Sequence, residues 1–145
     1  MDLDALVDEW SKDAEIDSTE PGRELLKIPK LHSKYLKILT HHSMLTKKYG
    51  SDYAQRKKIL FEYYQGDLNN PDDLKRYGLE PWVKKTLRQD IQVYLDADQT
   101  SINLLLKKAM QEEIVEFCKA VIKELGARTW QIRSYIEYEK FISGN

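Results

Sequence analysis

SINLLLKKAMQEEIVEFCKAVIKEL, residues Ser101–Leu125, decides the fold class. Ile102, Leu106, Ala109, Met110, Phe117, Ala120 and Val121 recur at the three- and four-residue spacing of one helix face. Leu104, Val115 and Ile122 form a second stripe, with Cys118 nearby. A helix that is apolar on two sides is buried on two sides. Asp98 or Thr100 is the expected N-cap, and Gly126 the expected end. Helix signals of this kind dominate the chain while Gly and Pro are scarce, so the expected fold is mainly α.

The pattern continues downstream. Thr129 to Ile142 reads as another helix, with Trp130, Tyr135, Tyr138, Phe141 and Ile142 on one broad face and Ile132 and Ile136 on another. A chain of 145 residues has little room to cover so much apolar helix surface. Self-association is the natural outlet. Leu104, Val115, Ile122, Trp130, Ile132, Ile136, Tyr138 and Phe141 are the candidate residues for it.

Upstream of Ser101 the signals are weaker. Ile91-Gln92-Val93-Tyr94-Leu95 alternates and is rich in β-formers, which predicts a short strand or extended connection. Pro81 should open a short helix from Trp82 to Gln89. Asp67 to Gly78, containing Asn69-Asn70-Pro71-Asp72, reads as a loop. At the N-terminus, Leu3, Leu6, Val7, Trp10 and Ala14 make an amphipathic helix from Asp4 to Ala14 with an acidic outer face, followed by a break at residues 17–22.

Between the break and the loop lies the most unusual charge pattern. From Leu25 to Lys58 there are nine bases and one acid, Asp52, a net of +8 within a chain whose formal net charge is −1. The remaining residues therefore carry −9. Solvated helix faces normally mix signs. Segregation of this kind points to an anionic partner such as a phosphate backbone, an anionic lipid surface or an acidic protein.

Leu31, Tyr35, Ile38, Leu39, Leu45 and Tyr49 share a helix face, and Lys30, Lys34, Lys37, His41 and Lys48 line an adjacent side, with a kink expected near Pro29 and a break at Gly50-Ser51-Asp52. From Tyr53 to Gln65, Tyr53, Leu60, Phe61 and Tyr64 share a face, with Lys57 set between Tyr53 and Phe61. Single-stranded nucleic acid requires cations along a phosphate track and flat rings for its bases. Arg56, Lys57, Lys58, Tyr63 and Tyr64 supply both, and Lys30, Lys34, Lys37, Lys47 and Lys48 could lengthen the track. The competing reading makes the tyrosines core and the lysines a solvated face. The expected organisation is thus a helical hairpin-like, basic, DNA-binding part over residues 1–66, a connection over 67–100, and an oligomerising helical part over 101–145.

Other chemistries find little support. Adjacent His41 and His42 diverge by about 100° on a helix and cannot easily share one ion, so no metal site is expected. Cys118 falls in an apolar helix and reads as a buried thiol. The sequence contains no Gx(4)GK[ST] or GxSxG pattern. No apolar run approaches the ~20 residues of a spanning helix, so no membrane association is expected. A single cysteine excludes an internal disulfide and suits a reducing cytoplasm, and the acidic Met1-Asp2-Leu3-Asp4 lacks the basic start of a secretory signal. Two rivals remain. One is a basic helical adaptor for anionic lipid or acidic protein, against which the abundance of tyrosine argues. The other is a metal-dependent nucleic-acid enzyme, which would need clustered acids beside the basic track.

The segment Lys58–Gly66, KILFEYYQG, has a basic residue, a hydrophobic stretch, an acid and then Tyr-Tyr-x-Gly. This pattern resembles the signature of the UvsY-like recombination mediators of T4-like phages. Lys12-Asp13 with Ile16-Asp17-Ser18-Thr19 is similar to the family's opening, and the helix closing in Phe141-Ile142-Ser143-Gly144 is similar to its end. The resemblance implies a non-enzymatic protein without cofactors, acting in the cytoplasm of the infected bacterial host. It implies a ring-like homo-oligomer of about six or seven subunits that binds single-stranded DNA. It also implies help in loading a UvsX-type recombinase onto DNA covered by the phage single-strand-binding protein, during recombination, repair and recombination-dependent replication. Lys58 matches the first basic position of the motif. The second falls on Leu60, a departure that leaves Lys57 or Arg56 to supply the charge.

Overall fold

In the computed structural model, which describes residues 1–144, the chain forms α1 (Leu3–Asp13), α2 (Pro21–Gln65), α3 (Pro71–Arg76), a 3-10 turn (Arg88–Asp90), α4 (Ile91–Asp96) and α5 (Gln99–Ile142). The mainly α expectation holds, and no strand occurs among the described residues. Two compact units result. The first comprises Met1–Met44 and the stretch from Met110 onward, and the second comprises Leu45–Ala109. Because α2 and α5 are long, each supplies residues to both units.

The first unit is built on Leu6, Tyr35, Ile114, Cys118, Val121 and Leu125, all buried. Leu6 and Trp10 bring α1 to this core, and the Trp10 ring meets Tyr35 edge to face at 5.4 Å. The Asp2 carboxylate caps α1 by accepting from the Ala5 amide at 2.8 Å. At the other end, buried Arg128 donates to the carbonyls of Asp13 and Ala14 at 3.2 Å, satisfying groups that a helix C-terminus leaves open. The hairpin-like start is therefore α1 folded back on the first part of α2.

The second unit is built on Leu60, Tyr63, Leu74, Ile91 and Leu95. Asn70 caps α3 by accepting from the Asp72 amide at 2.9 Å, with Pro71 in the first turn. Within Asp67–Gly78, expected as loop throughout, Pro71–Arg76 are thus a short helix.

Several boundaries differ from expectation, each for a physical reason. Residues 91–95 are helical. Ile91 and Leu95, four apart, are buried, whereas Val93, which the alternation put with them, is 67% exposed. An isolated strand would have no ladder partner, so the helical spacing wins. Residues 81–87 are irregular instead of helical. There the Trp82 indole N–H donates to Thr86 Oγ1 at 3.0 Å and the Tyr63 hydroxyl donates to the Glu80 carbonyl, while Val83 and Leu87 are exposed and would bury nothing in a helix.

Helix α2 runs without a break through Pro29 and through residues 50–52. Proline costs a helix interior about 3 kcal/mol and glycine about 1. Buried Tyr35 and half-buried Leu31 beyond Pro29, and the half-buried tyrosines 49 and 53 flanking Gly50, offset those costs. Gly126 likewise lies inside α5, with buried Leu125 and Arg128 holding the helix on either side.

Candidate nucleic-acid interface

Within the second unit, the α2 segment from residue 47 to 65 carries two faces of opposite character. Tyr49, Arg56, Leu60 and Tyr63 turn inward, at half-buried or buried positions. Lys47, Ala54, Lys58 and Gln65 recur at i, i+7, i+11 and i+18, fall on one side of the helix, and are exposed. Lys57 is exposed as well, next to half-buried Phe61 four residues on. Lys57, Lys58 and Phe61 line a shallow depression of about 570 Å³ that Glu62 and Asp67 also border. Lys47, Lys48, Lys57 and Lys58 make no ion pair among the described residues. This stretch of α2 therefore presents four exposed ammonium groups unneutralised by the protein's own acids.

Arg56 has a different environment. Its Nε and Nη2 donate to the two Asp98 carboxylate oxygens at 3.1 and 3.0 Å, and its Nη1 donates to the Tyr77 carbonyl at 2.8 Å. The two side chains are 11% and 12% exposed. Asp98 also accepts from the Ser101 amide and hydroxyl at 2.9 Å, capping α5. Burial pushes the Asp98 carboxyl up, but the hydrogen bonds from Arg56 and Ser101 and the guanidinium charge outweigh it and leave it below its usual range. Arg56 is therefore the tie between α2, the end of α3 and the start of α5.

The two tyrosines of the motif also pack inside. Tyr63 is 5% exposed, and Tyr64 stacks on Tyr94 at 5.1 Å and meets the Trp82 ring edge-on at 4.9 Å. Burial is the main cause of the upward shift of both phenols. Of the residues nominated by the motif region, Lys57 and Lys58 share an exposed surface, while Arg56, Tyr63 and Tyr64 build the support beneath it. Sequence reading nominated Asp98 or Thr100 as the cap of α5 but missed the pairing of Asp98 with Arg56 and the Tyr64–Trp82–Tyr94 cluster. The only local signal was the sidedness of the helix, which cannot name partners from distant segments.

In the first unit, Lys30 and Lys37 are exposed and unpaired among the described residues. Lys34 bonds Glu9 at 2.6 Å and Asp13 at 2.5 Å, so α1 neutralises it. His42 is buried and bonds Gln111, while the adjacent His41 is exposed, as their divergence on the helix requires. Among the described residues no group of three or more His, Cys, Asp or Glu could hold a metal ion, and no helix is long and apolar enough to cross a membrane.

The candidate assembly residues divide in the same way. Ile132 is buried and Leu104, Val115, Ile122 and Ile136 are half-buried, with Ile122 packed against the core of the first unit. Trp130, Tyr138 and Phe141 are 73%, 60% and 82% exposed and lie on the side of α5 opposite Ile132.

The family model described as "Recombination, repair and ssDNA binding protein UvsY" matches residues 9–145. The chain belongs to the UvsY family. Three crystal structures of the bacteriophage T4 recombination mediator protein UvsY share the fold of this UvsY-family chain. Lattice type II aligns with a TM-score of 0.83 at 20% identity, covering 99% of this chain and 98% of that one. Lattice type I aligns at 0.82 and 19% identity, covering 94% and 98%, and type IV at 0.80 and 19%, covering 97% and 98%. Comparison with curated protein sequences finds no match. The UvsY-family description concerns recombination, repair and binding of single-stranded DNA, the polymer that the motif region was nominated to bind.

Proposed function

We propose that this protein is a non-enzymatic recombination mediator that binds single-stranded DNA through the exposed lysines of α2, principally Lys57, Lys58, Lys47 and Lys48, with Lys30 and Lys37 as further phosphate contacts. Arg56, Tyr63 and Tyr64 act beneath this surface by holding its shape, and Lys34 by anchoring α1. Copies associate through the exposed Trp130–Tyr138–Phe141 side of α5 into a ring-like homo-oligomer. A ring turns several modest sites into one high-avidity track, because each further contact along a bound strand is intramolecular. The oligomer captures the strand, weakens the hold of the phage single-strand-binding protein, and offers a nucleation site to a UvsX-type recombinase in the host cytoplasm. Recombination, repair and recombination-dependent replication would all draw on that step.

The observation that carries the proposal is the set of exposed α2 lysines without internal acidic partners, in a chain of a family described as binding single-stranded DNA. The test is fluorescence anisotropy of a labelled single-stranded oligonucleotide over a salt series, with wild type and Lys57→Ala/Lys58→Ala. Each phosphate neutralised on a single strand contributes about 0.7 to the log–log salt slope, so the double variant should be shallower by about 1.4 per engaged subunit. Absence of binding by wild type at low salt would end the proposal.

A further inference from the structure

Between Lys75 and Arg88 the second unit carries five bases and one acid, Glu80. Lys75, Arg76, Lys84, Lys85 and Arg88 are all exposed, and none makes an ion pair among the described residues. In their midst is Trp82, half-buried, with Lys84 Nζ 6.0 Å from its ring centroid. Trp82 also lines a hollow of about 480 Å³ together with Pro81, Leu79, Leu74, Lys75 and Glu80. That volume lies in the range of small-ligand sites, and the walls mix apolar and aromatic side chains with Lys75, Asn69 and the single acid Glu80. These are the two elements a single strand requires, a flat ring and nearby cations.

The position of Trp82 relative to α2 adds a second argument. It packs against Tyr64, which lies seven residues beyond Lys57 and so on nearly the same side of the helix, about 10 Å further along its axis. Half-buried Phe61 falls between them in the same row. The Trp82 cluster therefore flanks the row that begins at exposed Lys57.

We infer that residues 75–88 form a second contact for the bound single strand, with Trp82 and Pro81 receiving a base in the hollow and Lys84, Lys85 and Lys75 holding the adjoining phosphates. An acidic protein segment would use the cations but not the hollow, so single-stranded nucleic acid is the ligand that accounts for both. The inference rests on the proposed DNA binding by the α2 lysines. It adds a separate surface, reached from a segment that carries no part of the family motif.

The test compares full-length wild type, Lys84→Ala/Lys85→Ala and Lys57→Ala/Lys58→Ala in oligo(dT) binding over a salt series. Photo-crosslinking of oligo(dT) to wild type is then mapped by mass spectrometry. Lys84 and Lys85 are exposed, so their replacement should leave the helical content intact. The expected result is a salt slope shallower by about 1.4 for Lys84→Ala/Lys85→Ala and a crosslink on the peptide containing Trp82. If Lys84→Ala/Lys85→Ala binds like wild type while Lys57→Ala/Lys58→Ala is impaired, this inference is wrong and the α2 interface stands. If wild type binds no strand at all, both fall. An unchanged slope together with no crosslink on the peptide containing Trp82 would likewise overturn the inference.

Discussion

Asp98→Ala should be the most damaging single change in the second unit that touches no apolar core residue. The substitution removes two things. The first is the cap of α5, where the carboxylate accepts from the Ser101 amide at 2.9 Å, and such a loss costs about 1 kcal/mol. The second is the partner of Arg56. Removing one member of a buried ion pair costs about 3–5 kcal/mol, because the other charge is stranded. Here each side chain keeps about a tenth of its exposure and Arg56 retains the Tyr77 carbonyl, so about 2 kcal/mol is the fitting share. The total is about 3 kcal/mol.

Asp98→Asn should lose only about 2 kcal/mol, since asparagine is also a good cap. Arg56→Leu/Asp98→Ala should lose less than Asp98→Ala alone, because no stranded guanidinium remains and an apolar side chain fills part of the space. Urea unfolding followed by far-ultraviolet circular dichroism at one fixed protein concentration measures these four proteins and the single variant Arg56→Leu, with midpoints converted through a common m-value. An Asp98→Ala protein within about 0.5 kcal/mol of wild type would refute the tie. So would a double variant that loses the sum of the two single losses, since contacting partners must couple.

Other predictions concern the helices, the assembly face and acid. Gly126→Ala should stabilise by about 0.5–1 kcal/mol in thermal or urea unfolding, because Gly126 sits inside α5 with open space around a new Cβ. Gly66→Ala should instead lose about 1–2 kcal/mol, since its φ of +88° places it in the left-handed region after α2. Trp130→Ser/Phe141→Ser removes two highly exposed apolar side chains and should lower the sedimentation coefficient while leaving the circular dichroism unchanged. An unaltered sedimentation profile would move assembly to another surface. Asp13 and Asp98 have pKa values held below normal, by the Lys34 and Tyr35 bonds in one case and the Arg56 and Ser101 bonds in the other, against the upward push of burial. Their stabilising contribution is therefore complete above the usual carboxylate value of about 3.9 and is lost as pH falls through the lower folded values. The urea midpoint should drop more steeply below about pH 4 in wild type than in Asp98→Asn.

The sequence by itself determined the helical class, the charge segregation and the sidedness of the long helices. These follow from the 3.6-residue period, which is a property of neighbouring residues. The apolar excess of α5 was legible for the same reason, whereas Lys57 and Lys58 were nominated from the charge pattern. Only the tertiary structure decided where helices stop. Pro29, Gly50 and Gly126 are breakers by local preference, yet burial on either side offsets their cost of about 1–3 kcal/mol. Residues 91–95 satisfy the strand pattern and the helix pattern alike, and the burial of Ile91 and Leu95 against Leu60 and Leu74 selects the helix.

The division of the motif between surface and support was also beyond local reading. Arg56, Lys57 and Lys58 are adjacent in sequence and chemically alike. What separates Arg56 is a carboxylate at Asp98, 42 residues away, and proximity at that range is created only by folding. The same holds for Trp82, whose place beside Tyr64 depends on a segment that forms no helix of its own.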